Sequence, residues 1–185
     1  MADLKTLYSI GHSNHPIEKF LELLTAHQIA TLVDVRSYPS SRRWPHFNHD
    51  ALAASLREAN VEYHWLKSLG GRRTSQRTDS PHSAWEVPAF RAYADYAETA
   101  DFENGLRTLL APAAAQGTAF MCSEGLWWQC HRRIISDHLT VRGCRVEHIM
   151  PNGKAVVHQM PDFASIRDGR LIYDGGQAQL VLKPT

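Results

Sequence analysis

Five short strand-like runs recur along the chain, each far enough from the next for a helix to fit between them. They are Thr6–Ile10, Ile29–Val35, Val61–Leu66, Thr118–Cys122 and Arg145–Ile149. The second is apolar enough to be buried on both faces, and the third is rich in β-branched and aromatic residues. Between the runs, apolar residues recur at helical spacing. Ile17, Phe20, Leu21 and Leu24 follow Pro16, Asp50–Ala59 forms a shorter stretch, and Phe90–Leu110 a longer one broken near Thr99–Phe102. Strands that alternate with helices predict an α/β protein: a mainly parallel sheet flanked by helices, Rossmann-like in class.

The 185 residues suit a single domain. We place the α/β domain over residues 1–150 and read residues 151–185 as an extension packed on the same domain. That tail changes character, with glycines, polar residues and short apolar runs at Leu171-Ile172-Tyr173 and Leu180-Val181-Leu182. It reads as a hairpin or edge strands, with one turn at Asp168-Gly169. The stretch Gly70–Ser75, inside an aperiodic segment from Lys67 to Pro88, reads as mobile.

Ligands of parallel α/β sheets sit beyond the carboxyl ends of the strands. Three polar clusters fall there by sequence: Gly11-His12-Ser13-Asn14, Asp34-Val35-Arg36 and Cys122-Ser123-Glu124. The densest stretch runs from Thr118 to Val141. There a buried-type strand is followed by Gln129-Cys130-His131-Arg132-Arg133, which reads as the start of a helix, with its unpaired N–H groups and positive dipole end.

Composition narrows the setting. Hydrophobic residues make up 43% and charged residues 21%, the proportions of a soluble globular protein. No apolar run reaches the roughly eighteen residues of a membrane span, so no membrane association is expected. The first residues lack a secretory pattern, which predicts a cytoplasmic protein. Three cysteines, Cys122, Cys130 and Cys144, argue for free thiols over a disulfide framework. The net charge of +1 is uneven, since Arg36–Arg77 holds eight basic residues and three acids. That segment reads either as solvated surface or as a phosphate-facing patch.

Three ordered motifs carry a family resemblance: Ser9-Ile10-Gly11-His12-Ser13; Asp34-Val35-Arg36 with Pro39, Ser41 and Arg42; and Cys122, Glu124, Cys130, His131 and Arg132. On these the chain resembles the domain-of-unknown-function 488 (DUF488) family over roughly its first 150 residues. The resemblance implies a fold and the location of a site, and names no reaction. It places Ser13, Ser41, Cys130 and His131 in that site beside the residues singled out by their chemistry.

Cys122 at a strand end is either a small core residue or a nucleophile, and a helix N-terminus with arginines nearby favours a thiolate. Arg132 lies ten positions after Cys122, with nine residues between them, which argues against a phosphatase-type loop, since that needs five between its cysteine and arginine. Glu124 reads as a general base or as a partner of Arg36 or Arg132, and His12 as a proton-transfer group or a loop anchor. Arg36, Arg42 and Arg132 fit an anion, because guanidinium forks match phosphate. No metal is expected, because neighbours on a helix diverge by about 100° and Cys130 and His131 would not chelate together. Cys144 reads as structural. Trp127 and Trp128 read as packing residues or a platform for a base.

Two functions follow. One is a cysteine- or carboxylate-dependent hydrolase or transferase acting on a nucleotide or other phosphorylated small molecule. The other is a nucleic-acid-binding module using the basic 36–77 segment with Trp44, His46, Phe47 and Trp65. A deep pocket around Cys122 and Glu124 favours the first, and a continuous basic groove from Arg42 to Arg77 the second. The sequence names no cofactor. The tail and the aromatic residues suggest a homodimer.

Overall fold

A computed structural model describes residues 5–75, 77–112 and 117–175. Its main sheet has six strands in the order β3-β2-β4-β1-β5-β6. These are β1 (Thr6–Gly11), β2 (Ile29–Asp34), β3 (Glu62–Trp65), β4 (Gly117–Cys122), β5 (Arg145–Ile149) and β6 (Ala155–Val157). The first five are mutually parallel and β6 runs antiparallel to β5. All five strands read from the sequence are present, and the class is α/β as expected.

Alternation within the strands divides the core into two layers. Ile10, Leu32, Ala119 and Met121 face helices α1 (Ile17–Ala26) and α2 (His49–Glu58), packing with Phe20, Leu24, Leu52 and Leu56. Leu7, Val33, Phe120 and Cys122 face α3 (Pro88–Tyr96), α4 (Ala100–Leu110) and α5 (Arg132–Val141), packing with Tyr93, Phe102, Leu106 and Ile135. The break between α3 and α4 has a local cause. Thr99 leaves the helical region and its side chain accepts from the Phe102 N–H, an N-cap that starts a new helix.

The tail forms a second sheet, the antiparallel pair β7 (Ala164–Arg167) and β8 (Arg170–Tyr173). Asp168 and Gly169 turn between them with φ of 50° and 76°, the doubly positive pattern of a tight hairpin turn. Leu171 and Tyr173 of β8 enter the core beside Leu7 and Val33. The Leu180–Leu182 run lies outside the described residues.

A buried polar chain ties the tail to the sheet. The Tyr173 hydroxyl donates to Asp137 Oδ2 (2.7 Å) and His158 Nε2 to Asp137 Oδ1 (2.8 Å). His148 Nε2 meets His158 Nδ1 (2.9 Å), Ser9 Oγ meets His148 Nδ1 (2.9 Å), and Arg132 Nη1 donates to Ser9 Oγ (3.1 Å). Two opposite charges are thereby connected through the interior without a direct contact, which satisfies groups that would be costly to bury alone. Trp127 stacks on His148 at 4.1 Å, so it is a packing residue.

Candidate functional site

The loops after β1, β2 and β4 leave the sheet together. Gly11 is the register partner of Cys122, and Asp34 of Met121. Pairing continues past the strands: the His12 N–H donates to the Cys122 carbonyl (3.0 Å), the Ser13 N–H to the Ser123 carbonyl (2.9 Å), and the Val35 N–H to the Met121 carbonyl (2.9 Å). Beyond these ends lies a cleft of about 720 Å³, lined by residues that include His12, Ser13, Arg36, Ser41, Cys122, Glu124, Cys130 and His131. Eight of the ten residues singled out from the sequence therefore share one cleft. Arg42 and Arg132 are not among its lining residues.

Arg36 is fixed by Asp34. Its Nε donates to Oδ1 (2.9 Å) and Nη2 to Oδ2 (2.5 Å), while the Tyr63 hydroxyl donates to Oδ2 (2.8 Å). The pair is buried. Burial works against the Arg36 charge, but the hydrogen bonds and charge of Asp34 outweigh it and raise its pKa. Arg36 Nη1 lies 3.4 Å from His12 Nε2, and His12 Nδ1 bonds the Ser13 carbonyl (2.9 Å). The carbonyl requires the proton on Nδ1, which leaves Nε2 with a lone pair. Burial first, then the Arg36 charge, lowers the His12 pKa to about 4, so the imidazole is a neutral acceptor at physiological pH.

At Cys130 the geometry departs from the helix read in the sequence. Trp127–Gln129 form a 3-10 turn, Cys130 is extended with φ −132° and ψ 152°, and α5 begins only at Arg132. Cys130 and His131 are thus not neighbours within a regular helix, and the divergence expected of such neighbours does not apply. His131 Nδ1 lies 3.4 Å from Cys130 Sγ and 3.9 Å from Cys122 Sγ, and its Nε2 donates to the Val35 carbonyl (3.0 Å). All three side chains are buried.

The two thiols interact as a pair. Cys122 is pushed up, first by its hydrogen bond to Cys130 and then by burial. Cys130 is lowered: burial opposes its ionisation, but the bond from Cys122 and the charge and backbone N–H of Arg132 outweigh it. The acidic thiol of the cleft is therefore Cys130. Cys122, the thiol favoured by the sequence, retains the proton. Cys144 is buried in the core, where burial raises its pKa.

Arg132 is only 1% exposed and turned inward, to Ser9 and to the Glu124 carbonyl, which its Nη2 contacts. The Glu124 side chain is exposed at the cleft and, among the described residues, forms no ion pair with Arg36 or Arg132. The sequence reading missed Arg43 and Arg72, which line the cleft together with Ser37 and Ser123. Both belong to the basic segment, but nothing local distinguishes Arg43 from Arg42. Other basic side chains of that segment are engaged elsewhere: Arg77 with Asp79 and Glu98, and Arg73 over the Tyr96 ring at 3.7 Å. The stretch read as mobile is tied down. Ser37 Oγ accepts from the Arg72 N–H (2.9 Å), Arg73 Nη2 donates to the Ser68 carbonyl (2.8 Å), and Gly71 packs on the His131 ring.

A parallel sheet whose strand-end loops gather thiols, imidazoles and guanidiniums around one cleft defines an α/β protein with a polar, cation-rich cleft. The family model described as "Domain of unknown function DUF488" matches residues 16–139, and the chain belongs to that family. The matched span contains the Asp34-to-Arg42 and Cys122-to-Arg132 motifs, and the Ser9-to-Ser13 motif lies just ahead of it. Comparison with curated proteins and with solved structures found no match. No helix among the described residues is long and apolar enough to cross a membrane.

Proposed function

We propose that the protein is an enzyme, a hydrolase or transferase, that takes a nucleotide or other phosphorylated small molecule into this cleft. One observation carries the reading: three guanidiniums, Arg36, Arg43 and Arg72, line the same cleft as the Cys122, Cys130 and His131 cluster, with Glu124 as the carboxylate among the lining residues. Guanidinium forks and the hydroxyls of Ser13, Ser37, Ser41 and Ser123 suit phosphate oxygens. The thiol–imidazole cluster then lies beside the bound group as the reacting centre. His12, a neutral acceptor whose Nε2 faces Arg36 Nη1 (3.4 Å), positions that guanidinium, and Glu124, exposed at the cleft, serves as the general base. The shared position of Cys122 and Glu124 in one cleft, with Arg73 and Arg77 held elsewhere, favours a small molecule over an extended nucleic acid.

Calorimetric titration with adenosine monophosphate, pyrophosphate and adenosine tests the reading. The two phosphorylated compounds are expected to bind and adenosine not to. Arg43→Ala/Arg72→Ala is expected to weaken binding about tenfold or more, at roughly 1.5 kcal/mol for a charge-assisted bond. Equal affinity for adenosine, or unchanged affinity in the double variant, contradicts it. Conversion of the bound compound, followed by phosphorus NMR, separates an enzyme from a binding module.

A further inference from the structure

We propose that Cys122, Cys130 and His131 are the three protein ligands of a zinc-type metal centre whose fourth coordination position opens into the cleft. The ligand atoms, two Sγ and His131 Nδ1, all lie within 4.8 Å of one another. A tetrahedral ion with Zn–S near 2.3 Å and Zn–N near 2.05 Å sets sulfur and nitrogen about 3.6 Å apart. The two sulfur-to-Nδ1 separations, 3.4 and 3.9 Å, fall on either side of that value.

The tautomer is also the one a metal requires. Donation from Nε2 to the Val35 carbonyl (3.0 Å) fixes the proton there and directs the Nδ1 lone pair at the sulfurs. A backbone acceptor on the far ring nitrogen is the usual outer support of a metal-bound histidine. The extended backbone at Cys130, between a 3-10 turn and α5, lets adjacent residues converge where a regular helix would splay them.

Two thiolates and an imidazole select zinc over magnesium or calcium, which prefer oxygen ligands. Because all three residues line the cleft, the fourth position faces it. Three protein ligands with one open position is the pattern of a catalytic centre, in which the ion acidifies a bound water or polarises a substrate oxygen. On binding, the remaining thiol protons pass to solvent and both sulfurs ligate as thiolates. The cysteines would then act as ligands and not as nucleophiles. The inference stands on the donor geometry and holds whether or not the cleft takes a phosphorylated compound.

The test uses the full chain, stripped with a chelator under reducing conditions and titrated with Co²⁺ and then Zn²⁺. The expected result is one ion per chain, with tetrahedral Co²⁺ visible bands and a near-ultraviolet sulfur-to-metal band of two-thiolate strength that one equivalent of Zn²⁺ removes. Cys122→Ser, Cys130→Ser and His131→Ala should each lose tight binding, whereas Cys144→Ser should keep it. An octahedral spectrum, no near-ultraviolet band, or a band lost with Cys144→Ser overturns the proposal. If a ligand variant fails to fold, the wild-type Co²⁺ spectrum decides alone. Arg43→Ala/Arg72→Ala should retain the metal even if phosphate binding fails, which keeps the two readings separable.

Discussion

Gly11 and Cys122 are partners at the last register position of the β1–β4 ladder, so the two loops that build the cleft start side by side. That closeness leaves no space at Gly11. A Cβ there would lie 1.8 Å from the Glu124 carbonyl oxygen, which is backbone and cannot swing away. Gly11→Ala should therefore destabilise the protein by about 1–3 kcal/mol, as overpacking does. Urea unfolding measures this, and an unchanged midpoint would contradict the packing described.

The order of thiol reactivity follows from the Cys122–Cys130 pair. In chelator-treated protein, Cys130 should be the first cysteine to react with limiting iodoacetamide as pH rises, ahead of Cys122 and Cys144. Arg132 favours its thiolate, whereas Cys122 holds the shared proton. Peptide mass spectrometry reads the order, and labelling of Cys122 first would reverse the assignment.

His12 gives a pH dependence with a definite sign. Its pKa falls from 6.5 unfolded to about 4 folded. The neutral form is therefore favoured by folding, and the associated stability is complete above pH 6.5 and lost as pH falls towards 4. The contribution is about 3 kcal/mol. His138 and His148, lowered mainly by burial to about 3 and about 2, act in the same direction. His12→Gln should accordingly lose less stability than wild type between pH 7 and 4.5. Imidazole NMR should show His12 untitrated at pH 5.5, and a midpoint near 6.5 would refute its buried, neutral state.

Tyr173 connects the tail to the buried Asp137. Tyr173→Phe keeps the ring but leaves one carboxylate oxygen without its donor, at an expected cost of about 1–3 kcal/mol. Thermal unfolding checks this, and a variant as stable as wild type would mean that the polar chain from Arg132 does not depend on its last link.

The parts legible in the sequence were those set by local pattern. The runs Ile29–Val35 and Thr118–Cys122 announce themselves as buried strands, formed over Ile29–Asp34 and Gly117–Cys122, and Asp168-Gly169 as a turn. Once the strands are parallel, convergence of His12, Asp34 and Cys122 follows from topology. What was not legible depends on long-range geometry. Arg132 looks like an anion clamp at a helix start, but its donors turn inward to Ser9 on β1. Cys130 looks helical because Gln129–Arg133 continues into an amphipathic pattern, yet the 3-10 turn before it ends in an extended residue. Partners such as Asp137 and His158 are joined only by the fold.

The most direct test of the account is ligand protection of the thiols, because it asks whether the guanidinium wall and the thiol floor form one site. Chelator-treated protein is alkylated with and without saturating pyrophosphate, and each cysteine is quantified by peptide mass spectrometry. The account predicts that pyrophosphate slows labelling of Cys130 and Cys122 at least severalfold, leaves Cys144 unchanged, and loses this effect in Arg43→Ala/Arg72→Ala. Equal labelling of Cys130 with and without saturating pyrophosphate would contradict it.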